Sequence, residues 1–230
     1  MKKTKKVLVL LSGGADSATC LAKAVKEYGS KNVICLNAYY GQILDKEMEC
    51  AKALTEYYDV EYIEINIAQV MKFSDCTLLK NSSKEVVYAS YKEQITDNQK
   101  ITSCVPFRNG VFISIAAAIA ESKDIDEIWY GAHGDDYAYP DCSPTFIENM
   151  KEAVFTGTQN NITLFAPLEG MKKSEIIGQG LMLGVPYEKT WSCYGGKNKP
   201  CGKCASCIDR RNAFLINGVN DPLEYEEENI

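Results

Sequence analysis

Long apolar runs are missing from this 230-residue chain. Stretches such as 111–120 fall far short of the roughly 20 residues a membrane-crossing helix needs, so no helical span is expected. A surplus of positive charge is missing too. Lys and Arg number 25 against 31 Asp and Glu, for a formal net charge of −6, and an acidic run at 224–228 adds local repulsion. Proteins that grip nucleic acid through its phosphates present a basic face, so small-molecule substrates are expected and nucleic acid is not. No internal repeat or low-complexity tract appears. The opening lysines and the short apolar stretch at 7–11 are too brief for a secretory signal, and a cytoplasmic location is expected.

What is present describes a folded protein with one good core, since 46% of residues are hydrophobic and 24% charged,. Short apolar stretches at 7–11, 33–38, 61–65, 128–131 and 162–165 predict strands. Helix-like stretches at 16–28, 45–58, 109–122, 144–155 and 173–183 alternate with them. The alternation predicts a doubly wound α/β domain with a parallel sheet and helices on both faces. Residues 66–102 break the pattern, being polar and rich in Ser, Lys and Asn, as a lid or substrate loop would be. The expected organisation is an α/β domain over 1–190, a cysteine-rich element with a following helix over 191–217 packed on that domain, and an acidic tail over 218–230.

Ten cysteines would suggest disulfides in a secreted protein, but six lie singly on apolar segments: Cys20, Cys35, Cys50, Cys76, Cys104 and Cys142,. The other four, Cys193, Cys201, Cys204 and Cys207, fall within fifteen residues. Four thiolates fill the tetrahedron of a Zn²⁺ ion and leave no open position, which predicts a structural metal. An iron–sulfur cluster is the rival occupant, because four cysteines also hold iron. Lys197, Lys199, Lys203, Arg210 and Arg211 are placed to offset the negative charge of such a site.

At the end of the first predicted strand stands Ser12-Gly13-Gly14-Ala15-Asp16-Ser17. The P-loop pattern ending in Gly-Lys is absent. Adjacent glycines allow close backbone approach, Ser12 and Ser17 offer hydroxyls, and Asp16 is suited to capping the helix or holding Mg²⁺. The loop resembles that of the ATP-pyrophosphatase families, which release pyrophosphate and leave AMP on the substrate. ATP is therefore the expected nucleotide, bound along Leu11, Ser12, Gly13, Gly14, Ala15, Asp16, Ser17, Ala18, Thr19, Cys20 and Leu21. Pro167-Leu168 with Lys173, Glu175 and Ile176 is similar to a second segment of those families, whose lysine reaches the phosphates. Lys173 starts a predicted helix, where the dipole disfavours a cation unless it has a ligand to serve.

Over nearly its whole length the chain resembles the QueC family of queuosine biosynthesis, the 7-cyano-7-deazaguanine synthases. The matching segments are 11–21, Tyr40-Gly41-Gln42, Val105-Pro106 with Arg108-Asn109, Tyr139-Pro140-Asp141-Cys142, 167–176, and Trp191-Ser192-Cys193-Tyr194-Gly195 through Cys207 and Arg210. Departures are Ile43-Leu44 and Ser143, where the family often carries Arg-His and Arg. The resemblance implies an Rossmann-like fold of the adenine nucleotide α-hydrolase type and a homodimer. It implies an ATP-dependent ligase that converts 7-carboxy-7-deazaguanine and free ammonium to the nitrile through adenylated carboxylate and amide intermediates. Asp16, Ser17, Lys173 and Arg108 would then be catalytic. Arg108, Asn109, His133, Asp135, Asp136, Tyr139 and Asp141 would bind the substrate, since carboxylates accept from the N–H groups of guanine-like rings. For Asp135 and Asp136 a turn-capping role stays open, as does a structural role for His133. Alternatives are a deazaguanine enzyme that stops at the amide, a tRNA thiolase using Cys104 or Cys142, and a zinc-ribbon adaptor with no activity.

Overall fold

Alternate residues of the first strand, β1 (Val7–Leu10), enter two different cores, Val7 and Val9 one and Leu8 the other. A strand apolar on both sides needs a helical layer on each, which is the parallel α/β arrangement. The computed structural model describes residues 5–96, 102–134, 139–159, 161–196 and 198–226. Strands β2 (Val33–Tyr39), β3 (Glu61–Asn66), β4 (Glu127–Trp129) and β5 (Thr163–Phe165) join β1 in one sheet of order β3-β2-β1-β4-β5. Every neighbouring pair is parallel. The chain runs outward from β1 to β3 and then crosses to the far side of β1. The order therefore reverses between β1 and β4, and a crevice opens at their carboxyl ends.

The described helices are α1 (Ala15–Tyr28), α2 (Lys46–Tyr58), α3 (Ala68–Met71), α4 (Tyr91–Thr96), α5 (Arg108–Ser122), α6 (Pro144–Gly157), α7 (Lys173–Met182) and α8 (Ala205–Ile216). Helices α1, α2, α7 and α8 cover one face of the sheet through Leu21, Leu54, Ile176 and Phe214. The other face is covered by α5 and α6 through Ile113, Ala116, Ile147 and Val154. Gly29 ends α1 at φ +76, donating its N–H to the Val25 carbonyl at 2.9 Å, a left-handed turn that glycine takes without strain,. Ser143 caps α6 by accepting the Phe146 N–H at 3.2 Å, and Pro144 supplies a pre-set first residue,. The departure from the family at Ser143 thus has a local structural use.

The connection predicted to be irregular over 66–102 carries the short helices α3 and α4. Ile67, Met71, Cys76, Leu79 and Val105 gather around Tyr40 in a small core of their own. An antiparallel bridge between Gln42 and Leu79 ties it to the loop after β2.

At the other end, Arg210 is 1% exposed, and its guanidinium does not turn to the cysteines as the sequence suggested. It pairs with Asp221 at 2.6 Å (Nε) and 3.1 Å (Nη2) and donates to Thr190 Oγ1 and the Tyr187 carbonyl. Residues 221–226 therefore fold back: Tyr225 is buried against the cysteines, and the Glu226 N–H reaches the Pro200 carbonyl at 2.8 Å.

Candidate active site

The turn between β1 and α1 is built from Ser12 to Ser17. Gly13 has φ +90, and a Cβ there would sit 2.1 Å from the Glu47 backbone carbonyl oxygen, so no other residue fits,. The Trp191 N–H donates to the Gly13 carbonyl at 2.9 Å, which braces the turn against the cysteine-rich segment. Ser12 Oγ lies 3.0 Å from Ser17 Oγ and accepts the Gly14 N–H at 3.3 Å. Gly14 caps α1 with no side-chain bond to the first-turn amides. Those amides and the helix dipole form a ready anion site.

Asp16 does not cap α1. Its carboxylate instead meets Lys173, from the first turn of α7, in a close ion pair through Oδ2, and His133 Nε2 lies 3.5 Å from the same oxygen. Three elements far apart in sequence thus converge at the crevice, and a Cβ at Gly131 would stand 3.5 Å from the Asp16 backbone. Burial alone would push the Asp16 carboxyl up, but Lys173 and His133 overcome it and hold the group well below the usual carboxylate range,. Asp16 Oδ1 is buried and has no hydrogen-bond partner among the described residues. A carboxylate oxygen left open beside an anion site has the chemistry of a Mg²⁺ ligand.

Arg108 opens α5 and lies on the far wall. Its Nη1 donates to Tyr40 Oη at 3.2 Å, and the guanidinium stands 5.3 Å from the Tyr40 ring. Burial would lower its affinity for a proton, yet Tyr40 and Glu47 raise it and the cation is kept. Asp141 accepts the Asn109 N–H at 2.8 Å through Oδ2, and Asn109 Nδ2 returns to the Asp141 carbonyl at 3.1 Å. These two residues therefore fasten the start of α5. Tyr139 Oη lies 3.0 Å from Ser103 Oγ and 3.2 Å from Tyr91 Oη, which lies 2.6 Å from Tyr194 Oη. Asp135 and Asp136 lie outside the described residues.

All the remaining predicted catalytic and substrate residues line one cleft of about 250 Å³, together with Ser12, Gly14, Trp191 and Ser192. Reading the sequence missed Glu47, Tyr91, Tyr194, Ser206 and Asp209, which line it as well. Glu47 sits in the first turn of α2, a few residues after Tyr40-Gly41-Gln42, and burial pushes its carboxyl up to about 7 despite Arg108. Burial likewise pushes Cys20 up to about 12 and Cys50 up to about 11, which keeps those thiols protonated and unreactive,.

The sulfur atoms of Cys193, Cys201, Cys204 and Cys207 lie within 4.8 Å of one another, and all four residues are buried. One tetrahedral ion with metal–sulfur bonds of about 2.3 Å sets sulfurs about 3.8 Å apart. Cys201 Sγ and Cys207 Sγ stand 4.0 Å apart. Backbone N–H groups of Gly196 (3.0 Å) and Cys201 (3.2 Å) point at Cys193 Sγ, as they would at a thiolate. The donor set fits a zinc ion.

Residues 6–218 match the family described as "Queuosine biosynthesis protein QueC". The chain belongs to this family. Among similar proteins, the 7-cyano-7-deazaguanine synthase of Psychromonas ingrahamii is 38% identical over 97% of this chain and 99% of its own length. Proteins of the same description from Methanoculleus marisnigri (96% of this chain, 99% of theirs) and Thermoplasma acidophilum (97% and 93%) are both 40% identical. Two solved structures share the fold at 18% identity. The NMN synthetase from Francisella tularensis has a TM-score of 0.53, covering 94% of this chain and 79% of that one. The U34-tRNA thiolase NcsA from Methanococcus maripaludis, with its [4Fe-4S] cluster, has a TM-score of 0.52, covering 94% and 68%. Family membership takes in both the turn from Ser12 to Ser17 and the cysteine quartet, and no described helix is long and apolar enough to cross a membrane.

Proposed function

We propose that the protein converts 7-carboxy-7-deazaguanine, ATP and ammonia to 7-cyano-7-deazaguanine, using two adenylations at one site. The observation that carries this reading is the meeting of Asp16, Lys173 and His133 beside an open anion-binding turn, in a chain of this family. A carboxylate is inert toward ammonia because its oxygen is a poor leaving group. Attack of that oxygen on the α-phosphorus of ATP makes an acyl adenylate and expels pyrophosphate. The amides of the turn, the Ser12 and Ser17 hydroxyls and Lys173 hold the departing anion, and donors fixed in advance are worth most where charge develops.

Ammonia then displaces AMP to give the amide. A second adenylation on the amide oxygen, with loss of AMP and the remaining N–H protons, gives the nitrile. Each adenylation needs an oxygen in line with the same phosphorus, so one site serves both. Arg108 would hold the substrate carboxylate or a phosphate, and Tyr139 and Asp141, which line the same cleft, would flank the ring. Glu47, which takes up a proton near neutrality, is suited to receive one from the nitrogen nucleophile,. Asp16 Oδ1 would hold Mg²⁺, which when bound screens phosphate charge, and the four cysteines would hold zinc in a structural role.

Incubation with carboxydeazaguanine, ATP, Mg²⁺ and ammonium, followed by mass spectrometry, tests the reading. The expected product is the nitrile with two AMP formed for each. An amide end product would move the chain to the amide-forming alternative, and absence of AMP would defeat the proposal.

A further inference from the structure

Asn37, near the end of β2, is 4% exposed, and its Nδ2 donates to the Leu11 carbonyl at 2.5 Å. A carbonyl only accepts, so this bond fixes which way the amide faces and leaves Oδ1 as an acceptor. That oxygen is buried and has no hydrogen-bond partner among the described residues, although Asn37 lines the cleft. The register explains the geometry. Leu10 of β1 pairs with Leu36 of β2, and β1 then leaves the sheet for the phosphate turn, so the next β2 residue stands at the opening.

A buried acceptor left unmet costs about 1–3 kcal/mol. Three of the atoms in that condition, Asp16 Oδ1, Asn37 Oδ1 and Tyr130 Oη, belong to residues lining this one cleft. Such a concentration marks a place where a ligand completes the hydrogen bonding. Near Asn37 the cleft is walled by Leu10, Leu36, Ala38, Ile65 and Phe112, apolar surfaces suited to a flat ring,.

We propose that Asn37 is a specificity-determining residue whose Oδ1 accepts a hydrogen bond from the exocyclic amino group of a purine-type ring. The inference rests on the reaction proposed above and deepens it, because both of its ring ligands, the adenine of ATP and the deazaguanine, carry such a group. A ring presenting a carbonyl or only C–H at that point would leave the acceptor opposed or unmet, and a site built this way rejects it.

Calorimetric binding to the zinc-loaded protein tests this with two matched pairs: ATP against purine riboside triphosphate, and carboxydeazaguanine against its 2-deamino analogue. One amino-less analogue is expected to bind wild type roughly 10- to 100-fold more weakly than its parent. Asn37→Leu, or Asn37→Ser should leucine disturb the strand, is expected to erase that difference. The pair affected identifies which ring Asn37 reads. Equal binding of both analogues and their parents to wild type overturns the proposal without any variant. So does discrimination that survives in the variants, or an effect of Asn37→Leu confined to the Michaelis constant for ammonium. Should wild type bind ATP but not the deazaguanine, the substrate reading fails while the ATP pair still decides the role of Asn37.

Discussion

Replacing Glu47 with glutamine gives a test of the cleft electrostatics that needs no substrate. The carboxyl is half-buried, and burial outweighs the attraction of Arg108, so its proton is held up to about 7 against an ordinary value of 4.5. A carboxyl raised in the native state stabilises the fold fully below its unfolded value and loses that contribution as pH rises through the folded value. The window is therefore 4.5 to about 7, and at about 1.4 kcal/mol per pH unit the full loss is about 3 kcal/mol,. Water at the cleft mouth reduces this to about 2 kcal/mol. Glutamine keeps the shape and carries no charge, so Glu47→Gln should be more stable than wild type at about pH 8 and nearly equal at about pH 5. Urea unfolding followed by tryptophan emission measures both, with the denaturant slope unchanged. A wild-type minus variant difference that is the same at both pH values would falsify the claim that Glu47 titrates in the folded cleft. Activity should move the other way, with turnover falling and its acidic limb flattening, because the proton acceptor is gone.

Asp16→Asn should lower adenylation by at least about 100-fold in a pyrophosphate-release assay, since Lys173 loses its anion and the turn its open carboxylate oxygen. Because Lys173 and His133 hold Asp16 below its ordinary value of 3.8, its stabilisation is present above that pH and lost as pH falls through the folded value, and the variant should lack this loss,. Gly13→Ala places a Cβ 2.1 Å from a backbone oxygen at φ +90, and a thermal melt should show about 2–4 kcal/mol of destabilisation with ATP binding abolished,. Arg210→Met leaves the Asp221 carboxylate buried at 4% side-chain exposure and should cost about 3–5 kcal/mol, whereas pairing it with Asp221→Leu should restore most of the loss,. Cys207→Ser should remove bound metal, read by elemental analysis, and shift Trp191 emission, because that ring packs in the same cluster as the cysteines,.

How much of this site could be read in the sequence depended on how local each feature was. The turn from Ser12 to Ser17 and the cysteine quartet each occupy one short stretch whose residue types and spacing point to a chemistry. The strands were legible because short apolar runs such as 7–11 and 33–38 have no other stable use between helix-like segments. The pairing of Asp16 with Lys173 and His133 was only half visible. Lys173 stood out as a cation at the wrong end of a helix dipole, but the anion that answers it lies 157 positions away and comes within reach only because the chain, after β3, crosses to the far side of β1,. Glu47 looked like any acid in the first turn of an amphipathic helix, and what makes it unusual is the burial of its carboxyl in the cleft near Arg108, which sequence periodicity does not encode. Arg210 was misread because nearness to the cysteines in sequence suggested charge compensation, whereas the return of the chain at Asp221 offers a buried carboxylate at 2.6 Å. Asn37 left a signal that was there to be used. In Val-Ile-Cys-Leu-Asn-Ala-Tyr a lone amide interrupts a strand buried on both faces, and a polar group so placed must find a partner in the protein or in something the protein binds,.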